Sequence, residues 1–285
     1  MCMFAKFKAN GETKLMADNW QWHDLHVHTR PHSPDAHRRA TLPAMLKQAA
    51  ENGVWTVGLA NHYFPTTNPK IFKTLRQQAE KETPDGMTVL VGAELCVLDS
   101  SGAIHLTEDE AAQFDFILAG PHHFIQRWVE KSPNGSAEAF IEHQHQMLLG
   151  AARNPLVDGL AHPWVINIQH AQRRWGFAPD DFLAVWSEDC FGQLGEVAKL
   201  HNTAIEIGMG IHLMAEHQGE RFWQKYVRGL QAAKGAGAKF YFGSDAHHLF
   251  VIARLDWLRP TLVKLGFTPA DIIPPAVWQK SPLKI

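Results

Sequence analysis

The chain has 285 residues, 45% hydrophobic and 20% charged, enough to bury one large core; we expect a single domain over residues 19–285 preceded by an extension over 1–18. Its 27 Lys and Arg against 29 Asp and Glu leave a formal charge of -2, which argues against extended nucleic acid or an anionic membrane surface as a partner. Cys2, Cys96 and Cys190 lie far apart with no CxxC spacing, and no apolar run has the length of a signal peptide or a membrane span, so a soluble cytoplasmic protein without a disulfide framework is expected.

Along the chain, short β-branched runs alternate with segments of helical period, the pattern of βα units around a parallel sheet. Seven strands are expected: HDLHVH (23–28), VWTVGLA (54–60), MTVLVGAEL (87–95), FDFILAG (114–120), VDGLAH (157–162), AIEIG (204–208) and KFYFGSD (239–245). Between them, TLPAMLKQAAENG has Pro43 suited to a first turn and Gly53 suited to a C-terminal cap, and four further helical stretches end near Gly, Asn or Pro. No low-complexity tract or sequence repeat interrupts the alternation.

Histidine is the outlier, with 18 residues, and at that abundance about one H-x-H triplet is expected by chance. The triplet in WHDLHVHTR therefore carries little weight alone. Its position carries more: His26 and His28, His62, Glu94, His122, His162, and Asp245 with His247 all fall at or just after the carboxyl ends of the expected strands. In a parallel barrel those ends converge on one face, where active sites of such barrels are built. Residues i and i+2 of a strand point the same way, so His26 and His28 can grip one ion. Imidazole and carboxylate donors without thiolate suit Zn, Mn or Fe.

The motifs DLHVHT, LANHY, GAEL, FDFILAGPHH, GLAHPW and GSDAHH, in that order, resemble the PHP (polymerase and histidinol phosphatase) superfamily over about residues 22–280, and the later ones resemble its small stand-alone phosphatases. The resemblance implies a distorted (β/α)7, TIM-like barrel that binds two to three divalent metal ions. It implies that His26, His28, Glu94 and Asp245 hold one ion, that Glu94 bridges to a second held by His122 and His162, and that His62 and His247 hold a third. For the remaining ligand of the third site His32, Asp35 and His37 compete; Asp35 is favoured, then His32. The family's common aspartate before the second-motif histidine is Asn61 here, which removes a negative charge and puts affinity at the third position in question.

Other histidines take a plainer reading. His123 is expected to wall the pocket, and His143 and His145, two apart on a helix, share no face and are expected to be solvated. Glu206 is expected to orient ligands. Arg30, His32, His123, Trp164, Arg173 and Arg174 are candidates for substrate contact, with the segment VINIQHAQRRWGFAPDD as a lid. His32 is also a candidate acid for the leaving group, beside Glu94 and Asp245 as catalytic residues. The expected activity is that of a phosphomonoesterase on a small metabolite, in which a hydroxide bridging two metal ions attacks phosphorus. A nucleotide phosphodiesterase or exonuclease with the same ions, and a non-catalytic PHP scaffold, are the alternatives.

Overall fold

The computed structural model describes residues 20–123, 126–132, 136–163, 172–177, 181, 185–210 and 219–279. The expected extension over 1–18, Trp164 and most of the expected lid lie outside the described residues.

Every strand pairing among the described residues is parallel. Strands β1 (Asp24–Val27), β2 (Thr56–Leu59) and β3 (Thr88–Val91) form one sheet. Strands β4 (Ala93–Cys96), β5 (Ile117–Gly120), β6 (Gly159–Leu160), β7 (Ala204–Gly208) and β8 (Phe240–Gly243) form a second, in that order. The run expected as one strand over 87–95 is thus two, β3 and β4, which meet at Gly92. A Cβ there would lie 2.6 Å from the ring and carbonyl oxygen of Phe116, so only glycine admits the bend. Through it the chain changes partner, from β2 on one side to β5 on the other.

The other seam lies between β1 and the chain after β8, where His28 N donates to the Ala246 carbonyl at 3.0 Å and Ala246 N to the His26 carbonyl at 3.3 Å. The expected barrel is therefore present as two parallel sheets joined at two seams rather than as one unbroken ladder. An irregular register between Asp24 and Val27 is part of the same distortion.

Helices α1 (Leu42–Glu51), α2 (Lys70–Glu82), α3 (Glu108–Ala111), α4 (Ala137–Arg153), α5 (Glu188–His201), α6 (Glu220–Gly235) and α7 (Leu255–Leu265) connect and cover the strands. In α1, Leu42, Met45, Leu46 and Ala49 recur at i, i+3, i+4 and i+7 and are the buried face; Pro43 sits in the first turn and Gly53 follows the helix at φ +82°. Ser136 and Ser187 start α4 and α5, accepting from Ala139 N and Cys190 N. The main apolar core lies between helices and sheets. A smaller cluster includes Leu25, Leu90, Phe116, Leu118, Tyr241 and Trp278, with the Trp278 ring 5.4 Å from Phe116 and 4.9 Å from Tyr241. Tyr241 ties this cluster to the polar site, because its hydroxyl donates to Glu206 at 3.2 Å.

Candidate metal centre

The carboxyl ends of the strands bring His26, His28, Glu94 and Asp245 together. The Nε2 atoms of His26 and His28 lie 3.1 Å apart. His26 Nε2 is 3.5 Å from Glu94 and 3.6 Å from Asp245; His28 Nε2 is 3.4 Å and 3.1 Å from the same two carboxylates. Two donors bound at about 2.0–2.2 Å to one tetrahedral ion lie about 3.3–3.6 Å apart. The distances from the two imidazoles to each other and to each carboxylate, 3.1–3.6 Å, are close to that spacing.

Their hydrogen bonds support the same conclusion. His26 Nδ1 lies 3.0 Å from Glu206, a carboxylate that can only accept, so Nδ1 carries the proton. Ser33 Oγ donates to Asn61 Oδ1 at 2.8 Å and so accepts from His28 Nδ1 at 3.2 Å. When each ring is neutral its Nε2 presents a lone pair, and the two Nε2 atoms are buried and face each other, an arrangement of donors that a cation would fit. Asn61 also accepts from Thr29 N at 2.8 Å and donates to Thr29 Oγ1 at 3.2 Å. Its amide thus sets the His28 tautomer at the first group of ligands, a place different from the third position where the sequence raised the question.

Glu94 is the hub. Its Oε1 meets His162 Nε2 at 2.8 Å and His122 Nε2 at 3.6 Å, and its Oε2 meets His62 Nδ1 at 2.8 Å. Asp35 Oδ2 lies 3.0 Å from both His62 Nε2 and His247 Nε2, and His247 Nδ1 donates to the Asp245 carbonyl at 3.0 Å. Of the three competing residues Asp35 is the one that meets His62 and His247. His32 instead lies 3.4 Å from Gln78, and His37 is exposed beside His248.

Burial opposes charge on each of these groups, and their mutual pairing overrides it at most of them. Burial would raise the Glu94 carboxyl, but His122, His26 and His62 hold it well below the usual carboxylate range. Against burial, Glu94 and Asp35 push His62 up to about 10, and Glu206, Glu94 and Asp245 push His26 well up. At His28 burial prevails and lowers the ring to about 3. The cluster is an electrostatic trap for positive charge in a buried place. His162 (φ +29°) and Asp245 (φ +50°) are two of the four described non-glycine residues with positive φ, backbone strain placed at the site itself.

Several residues that hold this geometry carried no site role in the sequence. Asp24 accepts from Ser244 N and Ala253 N, both at 2.9 Å, and fastens the β8 loop to β1; burial pushes its carboxyl up to about 6. His23 accepts from Phe242 N at 3.0 Å and donates to the Gln21 carbonyl at 2.7 Å. Ser33 has only its neighbours in sequence to mark it. Glu206, bonded to His26 Nδ1, also accepts from His162 N at 2.8 Å, and Gly243 leaves it room: a Cβ there would lie 2.5 Å from Glu206 Oε1. His123 stacks edge-on to Phe64 with centroids 5.0 Å apart beside His62 and His122. Arg30 is fixed through Nε to the Ala36 carbonyl at 2.7 Å, and Arg173 and Arg174 are exposed.

One expectation is corrected. His143 and His145 are 7% and 2% exposed, not solvated, because α4 is buried on both sides. His145 Nε2 meets Gln193 Oε1 at 2.9 Å, His143 Nε2 lies 3.6 Å from Glu130, and neither belongs to a described cluster of metal-ligating groups.

No family model matches the chain. It is 28% identical over 252 residues to a probable phosphatase of Clostridium acetobutylicum, covering 88% of each chain. It is 25% identical over 252 residues to a probable phosphatase of Photobacterium profundum, again covering 88% of each. Its structure is similar to histidinol phosphate phosphatase from Lactococcus lactis in complex with zinc, L-histidinol and phosphate. The TM-score is 0.60 at 16% identity, covering 87% of this chain and 95% of that one. The resemblance of the motifs to the PHP superfamily is borne out, in fold by the histidinol phosphatase and in sequence by the phosphatases that match most of the chain.

Proposed function

We propose that the chain is a metal-dependent phosphomonoesterase acting on a small phosphorylated substrate. The observation that carries this reading is Glu94, a buried carboxylate with imidazoles on both oxygens, shared between two groups of potential ligands and paired with His62 of a third. In this reading His26, His28, Glu94 and Asp245 hold one divalent ion, Glu94, His122 and His162 a second, and Asp35, His62 and His247 a third. Zn, Mn or Fe suits these nitrogen and oxygen donors, and ions held there would supply water of lowered pKa and positive charge for phosphoryl oxygens. The residues around them do the positioning. Glu206 and Ser33 keep the Nδ1 protons of His26 and His28, leaving both Nε2 atoms free to coordinate. Arg30, His32 and His123, on the loops around the cluster, contact the substrate. The Lactococcus lactis protein, whose structure holds zinc and phosphate, and the relatives named phosphatases support the assignment.

The test is elemental analysis of the untagged chain purified without chelator, followed by phosphate release from a panel of monoesters and of oligonucleotides. Two to three tightly held ions per chain, with turnover on monoesters, is the expected result. Metal content near zero after reconstitution with Zn, Mn and Fe in turn would overturn it, as would release of nucleotides in place of phosphate.

A further inference from the structure

The loops that follow β2 and β5 carry a group of aromatic rings beside the metal centre. His62 pairs with Glu94 in parallel register and Tyr63 N donates to the Glu94 carbonyl at 2.8 Å, so the chain after β2 runs on alongside Glu94. Neighbouring side chains of such an extended segment point to opposite sides. Tyr63 turns into the core, 5% exposed, with its ring 5.7 Å from Phe72 and 5.9 Å from Phe114. His62 and Phe64 share the other side, their ring centroids 5.2 Å apart and their planes inclined by 23°. Phe64 is thus half-buried next to a candidate metal ligand and is not part of the described apolar core.

Both loops are tied down. Phe64 N donates to Thr67 Oγ1 and Thr67 N to the Phe64 carbonyl, each at 2.8 Å. The β5 loop adds His123, edge-on to Phe64 at 5.0 Å, and Trp128, tilted against Phe64 at 6.3 Å and half-buried where it packs on the core. Gln126 N donates to the His123 carbonyl at 2.9 Å and Glu130 N to the Leu98 carbonyl at 2.7 Å, and Val129 is buried. The rings therefore form a fixed corner. Aromatic pairs favour offset stacking and edge-to-face contact, so a flat ring entering the corner gains both and removes apolar surface from water, whereas a saturated ring of equal size has no π face to offer. The corner begins at the ring next to His62, whose Nδ1 is 2.8 Å from Glu94, and so meets the part of a substrate nearest its phosphate.

We propose that Phe64 and Trp128, with His123, bind the organic part of the substrate, and that the preferred substrates are phosphomonoesters whose ester oxygen carries an aromatic ring directly or through one carbon. This deepens the phosphatase reading and rests on it for the phosphate. It makes Phe64 and Trp128 determinants of specificity, separate from the side chains that would hold metal and act on every ester alike.

Steady-state kinetics of the metal-reconstituted chain on benzyl, cyclohexylmethyl and 3-phenylpropyl phosphate test it. All three release a primary alcohol, and they differ in the flatness of the ring or in its distance from the phosphate. Wild type is expected to turn over benzyl phosphate with kcat/KM about fivefold or more above each of the others, mainly through KM. Phe64→Leu, which keeps apolar bulk and removes the ring, is expected to bring the benzyl to cyclohexylmethyl ratio to about two or less, and Trp128→Leu to move it the same way. The ratio is read within each variant, so loss of metal or partial unfolding, which lowers both rates, does not mimic the effect. A wild-type ratio near one, or a ratio unchanged in both Leu variants, overturns the proposal. Calorimetric titration with 2-phenylethylphosphonate and 2-cyclohexylethylphosphonate, in which a methylene replaces the ester oxygen, reads the corner without turnover. Tighter binding of the phenyl ligand with no phosphate released from any ester keeps the aromatic site and removes the phosphatase; release from all three esters at equal kcat/KM removes the inference alone.

Discussion

The chain contains the pattern His-x-His twice, and the two copies meet opposite fates. His26-Val27-His28 runs off the end of a strand, where a period of two sends both rings to one side, and their Nε2 atoms converge to 3.1 Å. His143-Gln144-His145 sits in α4, where two residues turn through about 200°, so one ring approaches Glu130 and the other Gln193. Both pairs are buried, so burial does not distinguish them. The difference teaches that a ligand motif is defined by the backbone that carries it, together with what occupies the far nitrogen of each ring. Glu206 and Ser33 fix that nitrogen on the strand pair.

The largest effect expected from this contrast is at the strand pair and its hub. Glu94→Ala removes the carboxylate shared by two groups of ligands and paired with His62 of the third; it should strip the centre of most of its metal and lower kcat/KM by about a thousandfold or more, and His28→Ala should act in the same direction. Elemental analysis and turnover on one monoester check both. A Glu94→Ala protein that retained its ions and full turnover would sink the assignment of the hub.

Much of the contrast was legible before the fold was seen, because a strand followed by a helix repeats often enough to place His26, His62, Glu94, His122, His162 and Asp245 at equivalent positions. What was not legible depends on through-space partners. The break of strand 87–95 at Gly92 is imposed by Phe116, which lies 24 residues away in sequence, as the close approach of its ring and carbonyl shows. The burial of His143 and His145 comes from packing around α4, which local polarity does not announce. The helix α7 carries Pro260 in its interior, a residue that reads locally as a breaker. At the site, the choice of Asp35 over His32 and His37 is a matter of angstroms; Ser33 acts through the side chains of His28 and Asn61, and Asp24 and His23 through backbone groups, partners that no spacing reveals.

His23 sharpens the comparison from a third direction, as a histidine three residues from His26 whose use is purely structural. Burial lowers its pKa from an ordinary 6.5 to about 4, and the neutral ring bridges Gln21 and Phe242. Between those values the unfolded chain binds a proton that the folded chain refuses. The stability tied to this group is therefore present above pH 6.5 and is lost as pH falls through the window to about 4, amounting to about 3 kcal/mol. Urea denaturation of metal-free wild type and His23→Gln at pH 7 and pH 4.5 should give a pH slope shallower by about one proton in the variant. Equal slopes would show that the ring does not titrate as its burial requires.

Next in size is the support of the strand pair. Glu206→Gln keeps the shape of the side chain but offers His26 Nδ1 an amide, and it removes a negative charge from beside the cluster. Metal affinity should fall by about 10- to 100-fold, the usual cost of losing a residue that orients a ligand. Competition with a calibrated chelator reads this directly. Tyr241→Phe, which removes only a hydroxyl from the same carboxylate, should cost less.

The smallest effect is the other half of the contrast, and it is the control that gives the rest their meaning. His145 has one ring nitrogen bonded to Gln193, and its Nδ1 is buried with no hydrogen-bond partner among the described residues. In His145→Leu the exposed Gln193 exchanges its lost bond for water, while the buried unsatisfied nitrogen disappears and an apolar side chain of similar bulk takes its place in α4. These terms oppose each other, each about 1 kcal/mol, so stability should change by no more than that and metal content should not change at all. Loss of an ion in His145→Leu would mean that the helix pair reaches the centre by a route the geometry does not contain. Unchanged metal in this variant, beside its loss in His28→Ala, would trace the difference between two identical motifs to the backbone beneath them.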